Sequence, residues 1–256
     1  MTTLEVLFAP AEFNALNQRD LSRTVCVVFD ILRATSSMVT ALVNGAAAIV
    51  PVAEIGEALA MRRQQPDVLL AGEREGVRIR AATTGSVDFD LGNSPREFTA
   101  DRVRGRTIVM TTTNGTRALR ACAGAKTVLI GAFLNLEAVA GWIRRERPEN
   151  LLLVCSGTVD QAAYEDALAA GALCDLIWED YANGQVADSA LVAREIHRSA
   201  QADLLTAVQR ARNGRRLLAI PELRDDVAAC VRMNALSVLG EMNKVGRVVM
   251  FVDSAR

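Results

Sequence analysis

Short segments rich in β-branched residues alternate with helical patterns along most of this 256-residue chain. The predicted strands cover residues 4–8, 25–29, 47–50, 68–70, 107–110, 127–130 and 151–155. The predicted helices cover residues 36–44, 55–63, 115–121, 136–146 and 160–178. Alternation of this kind predicts a layered α/β fold, in which helices flank a largely parallel or mixed central sheet.

Two regions depart from this alternation. Residues 77–101 are rich in turn-forming residues, and we expect an irregular excursion over the sheet edge or the active site. From about residue 184 the pattern is mainly helical, through about residue 211, and a short strand is predicted at 247–252. Since no low-complexity linker interrupts the chain, we expect one domain over residues 1–256.

Composition narrows the possible functions. A net charge of −1 and only 4% aromatic residues argue against a nucleic-acid partner. No apolar run is long enough to span a bilayer, so no membrane partner is expected. Five scattered cysteines without a Cys-x-x-Cys pair favour a reduced, cytoplasmic protein. A homodimer is possible for an apolar chain of this size.

The chain has a single histidine, His197, so a zinc site built on several imidazoles is impossible. His197 lies in a helical stretch rich in charge, where we expect it to face solvent. The chemistry must therefore rest mainly on carboxylates, hydroxyls, amides and arginines.

The segment 111–116 (TTTNGT) stands between a predicted strand and a predicted helix. Free N–H groups at a helix start, with hydroxyls and an amide beside them, suit a phosphate or another oxyanion. We expect this turn to bind the anion, although a helix cap is the structural alternative. The binding residues predicted here are Thr111, Thr112, Asn114, Gly115 and Thr116.

The segment 30–37 (DILRATSS) follows another buried strand. Asp30 lies at the strand end, where open α/β sheets place ligands, Arg33 can grip an anionic oxygen, and Thr35 can cap the helix. A purely structural turn is an equal alternative. The nucleophile loop of haloacid dehalogenase-type phosphatases has a second aspartate two residues later, but Leu32 stands there in this chain.

Carboxylates follow two further strands. Glu73 lies in the segment 72–76 (GEREG). It is either a metal ligand or a general base, with Arg74 paired to it or to the substrate. The structural alternative is that Glu73 and Arg74 only form a charged tight turn. Asp166 shares a helix face with alanines, where an ionised carboxylate must be paired or bound to a metal. Asp166 is therefore either a metal ligand or one partner of a structural salt bridge. Glu165, which precedes it, is a second metal ligand or a base.

These turns all lie at the carboxyl ends of apolar strands, and the metal ligands that they offer are all oxygen atoms. Such donors favour Mg²⁺ over zinc, and Mg²⁺ beside an oxyanion pocket suits phosphoryl chemistry. The predicted metal ligands are Asp30, Glu73 and Asp166. The small hydroxyl turn at Ser156 and Thr158 completes the predicted anion pocket.

Six segments in this order resemble the 2-phosphosulfolactate phosphatase family over about residues 4–175. They are 30–37, 72–76, 91–95 (LGNSP), 111–116, 155–158 (CSGT) and 165–171 (EDALAAG). Weaker matches follow at 188–190 and 225–227. Ser36 and Ser37 stand where threonines are expected, and they keep the hydroxyl.

The resemblance implies a Mg²⁺-dependent hydrolase with a distinctive α/β fold. It would convert (R)-2-phospho-3-sulfolactate to 3-sulfolactate and phosphate, a step towards coenzyme M. We expect catalytic roles for Asp30, Glu73, Glu165 and Asp166, and closure over the substrate by Asn93 and Ser94. Another phosphorylated hydroxy acid, an aspartyl-phosphate route through Asp30, and a non-catalytic anion-binding protein are the alternatives.

Overall fold

The computed structural model describes residues 2–252. Within them, eleven strands form one continuous sheet with helices around it, which confirms the predicted α/β class. The strands are β1 (Thr3–Leu7), β2 (Thr24–Phe29), β3 (Ala48–Pro51), β4 (Leu69–Arg74), β5 (Val77–Arg78), β6 (Thr107–Thr111), β7 (Thr127–Gly131), β8 (Asn150–Cys155), β9 (Gln185–Val186), β10 (Gly240–Met242) and β11 (Val248–Met250). The predicted single domain also includes residues 1 and 253–256, which lie outside the described residues.

The α-helices alternate with these strands over the first two thirds of the chain and predominate after them. They are α1 (Pro10–Asn14), α2 (Ala34–Val43), α3 (Ile55–Gln64), α4 (Ala81–Thr84), α5 (Ala100–Val103), α6 (Gly115–Ala121), α7 (Leu136–Glu146), α8 (Tyr164–Leu176), α9 (Trp178–Tyr181), α10 (Asp188–Ala200), α11 (Leu204–Arg210), α12 (Arg212–Leu218) and α13 (Arg224–Cys230). No helix in residues 2–252 has the length and apolarity needed to cross a membrane.

The sheet order is β5-β4-β6-β3-β11-β10-β7-β2-β8-β1-β9. Neighbours are parallel within the group β4-β6-β3 and within the group β7-β2-β8-β1-β9. The antiparallel pair β10 and β11 joins the two groups. Every residue of β2 is buried, as expected for a strand covered on both faces. Strands β2 and β8 therefore form a buried, paired centre from which the turns after them emerge.

The predicted helix over residues 160–178 was wrong at its start. Residues 158–161 instead form a tight turn, in which the N–H of Thr158 donates to the carbonyl of Gln161 at 2.8 Å. Helix α8 begins at Tyr164 and ends at Leu176, and the short helix α9 follows. The turn holds the chain next to the end of β8, a position that a continuous helix would not allow.

The C-terminal third is mainly helical, as predicted from about residue 184, and the structure divides the stretch to about residue 211 into separate elements. Strand β9 pairs with β1 and forms one edge of the sheet, and α10 and α11 are separate helices. Sequence reasoning missed α12, α13 and β10. Strand β11 lies inside the predicted segment 247–252 but covers only Val248–Met250.

The prediction that His197 faces solvent was also wrong. Its side chain is buried, and burial lowers the pKa of its imidazole. Helix α10 packs closely against α8, where a Cβ on Gly171 would lie 2.9 Å from the Cβ of His197. The small residue on α8 brings the histidine into the interface between the two helices.

Candidate active site

Turns that follow four strands meet at a cavity of about 90 Å³, together with residues from the irregular excursion and from α12. The predicted convergence of turns therefore exists. The lining residues are Asp30, Leu32, Arg33, Glu73, Gly76, Asn93, Thr113, Asn114, Gly157, Thr158, Val159, Asn213, Arg216 and Leu217.

Asp30 directly follows β2 and turns its carboxylate towards the start of α2 and α6. Its Oδ1 accepts the N–H of Ala34 at 3.1 Å, while a Cβ on Gly115 would lie 2.4 Å from its Oδ2. Burial is the main cause that raises the pKa of Asp30 to about 6, and the nearby charge of Glu73 adds to it. The hydrogen bond from the N–H of Ala34 opposes this shift. A carboxylate with this pKa can hold or release a proton near neutral pH.

Glu73 lies near the end of β4, and its carboxylate organises two turns. Its Oε1 accepts the N–H of Thr113 at 2.9 Å and the hydroxyl of Thr113 at 2.8 Å. Its Oε2 accepts the N–H of Gly76 at 2.7 Å. One carboxylate therefore holds the turn after β6 beside its own turn.

Asp166 is buried at the start of α8 and connects the ends of β2 and β8. Its Oδ1 accepts the N–H of Ile31 at 2.8 Å. Its Oδ2 accepts the hydroxyl of Ser156 and the N–H of Gly157, both at 3.1 Å. Burial, with the charges of Asp30 and Glu165, raises the pKa of Asp166, and the two N–H groups oppose the shift. Asp166 and Ser156 lie behind the cavity wall rather than on it.

Two buried amide oxygens at the cavity, Oδ1 of Asn93 and Oδ1 of Asn114, have no hydrogen-bond partner among residues 2–252. The amide nitrogen of Asn114 donates to the carbonyls of Ser156 at 3.0 Å and Val159 at 3.1 Å. These two bonds fix the orientation of the Asn114 amide. An unpaired buried acceptor calls for a hydrogen-bond donor or a cation.

Glu165 is buried and bonded to the C-terminal part of the chain. Its Oε1 accepts from the amide nitrogen of Asn213 at 2.5 Å, and the same nitrogen lies 2.6 Å from the hydroxyl oxygen of Thr158. Burial raises the pKa of Glu165, and the Asn213 bond opposes this shift. Thr158 lines the cavity, whereas Glu165 lies just outside the lining.

Arg33 reaches the cavity, but its guanidinium is already engaged. Its Nη1 lies 2.6 Å from Oδ2 of Asp226 on α13, and its Nη2 donates to the carbonyl of Gly76. Both side chains of the ion pair are buried. Ser94 also donates to Asp226, at 2.7 Å, and does not line the cavity.

The remaining predicted residues support the cavity walls. The Thr35 hydroxyl donates to the carbonyl of Asp30 at 3.0 Å. Thr112 and Thr116 bond to each other's N–H groups with their hydroxyls, and the Thr111 hydroxyl donates to Ala53. Arg74 donates to Thr111, and Gly115 gives Asp30 its space. These contacts occupy N–H groups that the sequence suggested were free for an anion.

Four polar residues at or behind the cavity were missed as site residues: Thr113, Asn213, Arg216 and Asp226. Thr113 stood inside a recognised segment, so the hydroxyl run was its signal. Asp226 lay in the weak match at 225–227. Nothing in the sequence pointed to Asn213 and Arg216, since no local pattern links α12 to the strand ends.

No three His, Cys, Asp or Glu side chains come together as a metal-binding group anywhere in residues 2–252. The predicted ligands Asp30 and Glu73 share the cavity, and Asp166 is separated from it. Two carboxylates with two amide oxygens still fit Mg²⁺, because Mg²⁺ keeps several waters and takes only one or two protein carboxylates.

The fold and the cavity define an α/β protein with a small polar site, lined by charges of both signs, at the ends of its strands. The model of the 2-phosphosulpholactate phosphatase family matches residues 12–244. The chain belongs to this family, whose name denotes a phosphatase.

Relatives extend the match over nearly the whole chain. A protein of Symbiobacterium thermophilum is 37% identical over 233 residues, which are 90% of this chain and 96% of the relative. One of Carboxydothermus hydrogenoformans is 34% identical over 99% of this chain and 98% of the relative. One of Caldanaerobacter subterraneus is 43% identical over 63% of this chain and 64% of the relative. Each is named probable 2-phosphosulfolactate phosphatase.

Proposed function

We propose that this protein hydrolyses the phosphate ester of (R)-2-phospho-3-sulfolactate, releasing 3-sulfolactate and inorganic phosphate, with Mg²⁺ as cofactor. The family and the names of the relatives support the reaction. The observation that carries the proposal is the pairing of Asp30 and Glu73 on one cavity with two unpaired amide oxygens.

Asp30 and Glu73 would hold the metal, together with the free oxygens of Asn93 and Asn114. Bound Mg²⁺ would neutralise phosphate charge and polarise the ester. The amide oxygens suit metal binding better than phosphate binding. An amide oxygen and a phosphate oxygen are both acceptors, and they cannot form a hydrogen bond without a proton between them. Asp166 serves as a positioning residue, since its contacts join the Ile31 and Gly157 turns.

Asp30 also suits the transfer of a proton. In the metal-free protein burial raises its pKa to about 6, so it is mostly ionised at neutral pH. The ionised carboxylate can accept a proton from the attacking water. The leaving alkoxide of sulfolactate then needs that proton. The alternative is attack by Asp30 itself, which forms an aspartyl phosphate. Trapping of a fluoroberyllate adduct on Asp30 would favour the covalent route.

Release of inorganic phosphate tests the proposal. The purified protein is incubated with 2-phosphosulfolactate and a panel of other phosphorylated hydroxy acids, with Mg²⁺ and with a chelator. We expect Mg²⁺-dependent release, fastest from phosphosulfolactate. Faster release from another member of the panel would replace the proposed substrate, and release that a chelator does not affect would remove the metal.

The wider setting follows from the same proposal. We propose that the reaction belongs to coenzyme M synthesis and takes place in the cytoplasm. The five cysteines are buried and free, which supports a reducing compartment. A homodimer also stays a proposal, to be tested by light scattering.

A further inference from the structure

Helix α12 places two polar side chains on the cavity, one turn apart. Asn213 and Arg216 are three residues apart on the helix, so they share a face. Both line the cavity that holds Asp30 and Glu73. The C-terminal region therefore contributes directly to the site formed by the strand ends.

Arg33 and Arg216 are the two cations that line this cavity within residues 2–252, and only one of them is engaged. Arg33 bonds to Asp226 and to the carbonyl of Gly76. The guanidinium of Arg216 has no hydrogen bond or ion pair with any described residue, and its Nε lies 3.7 Å from the position of a Cβ on Gly76. Arg216 therefore presents the free N–H donors of its planar guanidinium beside the Gly76 turn.

Asn213 fixes this helix in place. Its amide nitrogen lies within bonding distance of Thr158, which follows β8, and of Glu165 on α8. Arg212 adds a bond to the carbonyl of Thr158 at 3.1 Å. Because these three bonds anchor the start of α12, the backbone that carries Arg216 is held against the cavity.

We propose that Arg216 binds the acidic end of the substrate that is remote from the phosphate, either its sulfonate or its carboxylate. Arginine is suited to this role because its fork matches planar and tetrahedral oxyanions with two parallel hydrogen bonds. Arg216 acts as a binding residue and determines specificity for a phospho-acid over a simple phosphate ester. This inference rests on the proposed function for its choice of substrate.

The test compares Arg216→Gln and Arg216→Lys with Arg215→Gln. Arg215 is the matched control, because it is exposed on the same helix, bonds to the carbonyl of Arg210 and does not line the cavity. Steady-state kinetics with 2-phosphosulfolactate are measured alongside calorimetric binding of 3-sulfolactate. Circular dichroism checks the fold of each variant.

We expect Arg216→Gln to raise KM and to weaken 3-sulfolactate binding by about 10- to 100-fold, with a smaller change in kcat. Arg216→Lys should recover part of the loss, and Arg215→Gln should match the wild type. With 2-phospholactate, which lacks the sulfonate, a persisting KM penalty identifies the carboxylate as the partner. A penalty that disappears identifies the sulfonate.

The outcomes separate this inference from the proposed function. If the protein releases phosphate and the Arg216 and Arg215 variants have equal KM and equal affinity for 3-sulfolactate, the role of Arg216 is contradicted. The proposed function is then unaffected. Binding of 3-sulfolactate that depends on Arg216, without turnover of the phosphorylated substrate, supports the binding site and contradicts the function. If the protein neither binds 3-sulfolactate nor turns over the phosphorylated substrate, the inference and the proposed function are both contradicted.

Discussion

The guanidinium of Arg33 lies 2.6 Å from the carboxylate of Asp226, and both side chains are buried. The two residues are 193 positions apart in the chain. This ion pair joins the turn after β2, which carries Asp30, to the C-terminal helix α13. The C-terminal region is therefore connected to the candidate active site through a buried charge pair as well as through α12.

Removing one charge of this pair should be strongly destabilising, because it leaves the other buried and unpaired. We expect Asp226→Asn to lower the free energy of unfolding by about 3 kcal/mol in urea denaturation. Asp225→Asn is the matched control. Its side chain is 71% exposed, and its loss should change stability by no more than about 0.5 kcal/mol. Equal effects of the two variants would show that the buried pair has no special importance.

The buried carboxylate of Asp30 should make stability depend on pH. Its pKa is raised to about 6 in the folded state, so its contribution to stability is greatest below its ordinary pKa and is lost as pH rises through 6. Without Mg²⁺, Asp30→Asn should therefore be about 3 kcal/mol more stable than the wild type at pH 8. The difference should vanish near pH 4. Urea unfolding at both pH values measures it, and a difference that is larger at pH 4 would contradict the assigned shift.

A methyl group on Gly115 should displace the Asp30 carboxylate. The added Cβ would lie 2.4 Å from Oδ2 of Asp30 and 2.7 Å from Cβ of Ala34. We expect Gly115→Ala to lower kcat/KM at least about tenfold and to cost about 1–3 kcal/mol of stability. Gly141→Ala in α7 meets no atom within 4 Å and is the control, with a gain of up to about 1 kcal/mol. An active Gly115→Ala variant would show that Asp30 need not keep its present position.

The metal requirement should distinguish a ligand from a positioning residue. Glu73→Gln removes a proposed ligand, so it should raise the Mg²⁺ concentration that gives half-maximal activity. Asp166→Asn replaces an acceptor oxygen that faces N–H groups, so it should lower stability by about 2 kcal/mol and reduce kcat at an unchanged Mg²⁺ requirement. Activity titrations against Mg²⁺ measure both. A raised requirement in the Asp166 variant would restore it as a metal ligand.

The sequence predicted the parts of this fold that depend on local patterns. All eight predicted strands exist, because β-branched runs such as that of β2 are buried on both faces. It also predicted that Asp30, Glu73, Asn114 and Asp166 converge, since functional turns in α/β sheets follow strand ends. The first three line the cavity, whereas Asp166 lies behind its wall.

Contacts between distant segments could not be predicted in this way. Arg33 looked free for substrate until α13 brought Asp226 to it, and Asn213 joined the site only through α12. His197 looked exposed because its neighbours in sequence are charged, whereas the packing of α10 on α8 decides its burial.

The position of the metal tests the central claim most directly. Crystals of the protein soaked with Mn²⁺ and 3-sulfolactate would show the ion by its anomalous scattering. We predict a peak in the cavity, within direct bonding distance of the Asp30 and Glu73 carboxylates. A peak elsewhere on the molecule, or an empty cavity in crystals of an enzyme whose turnover requires the metal, would contradict the account.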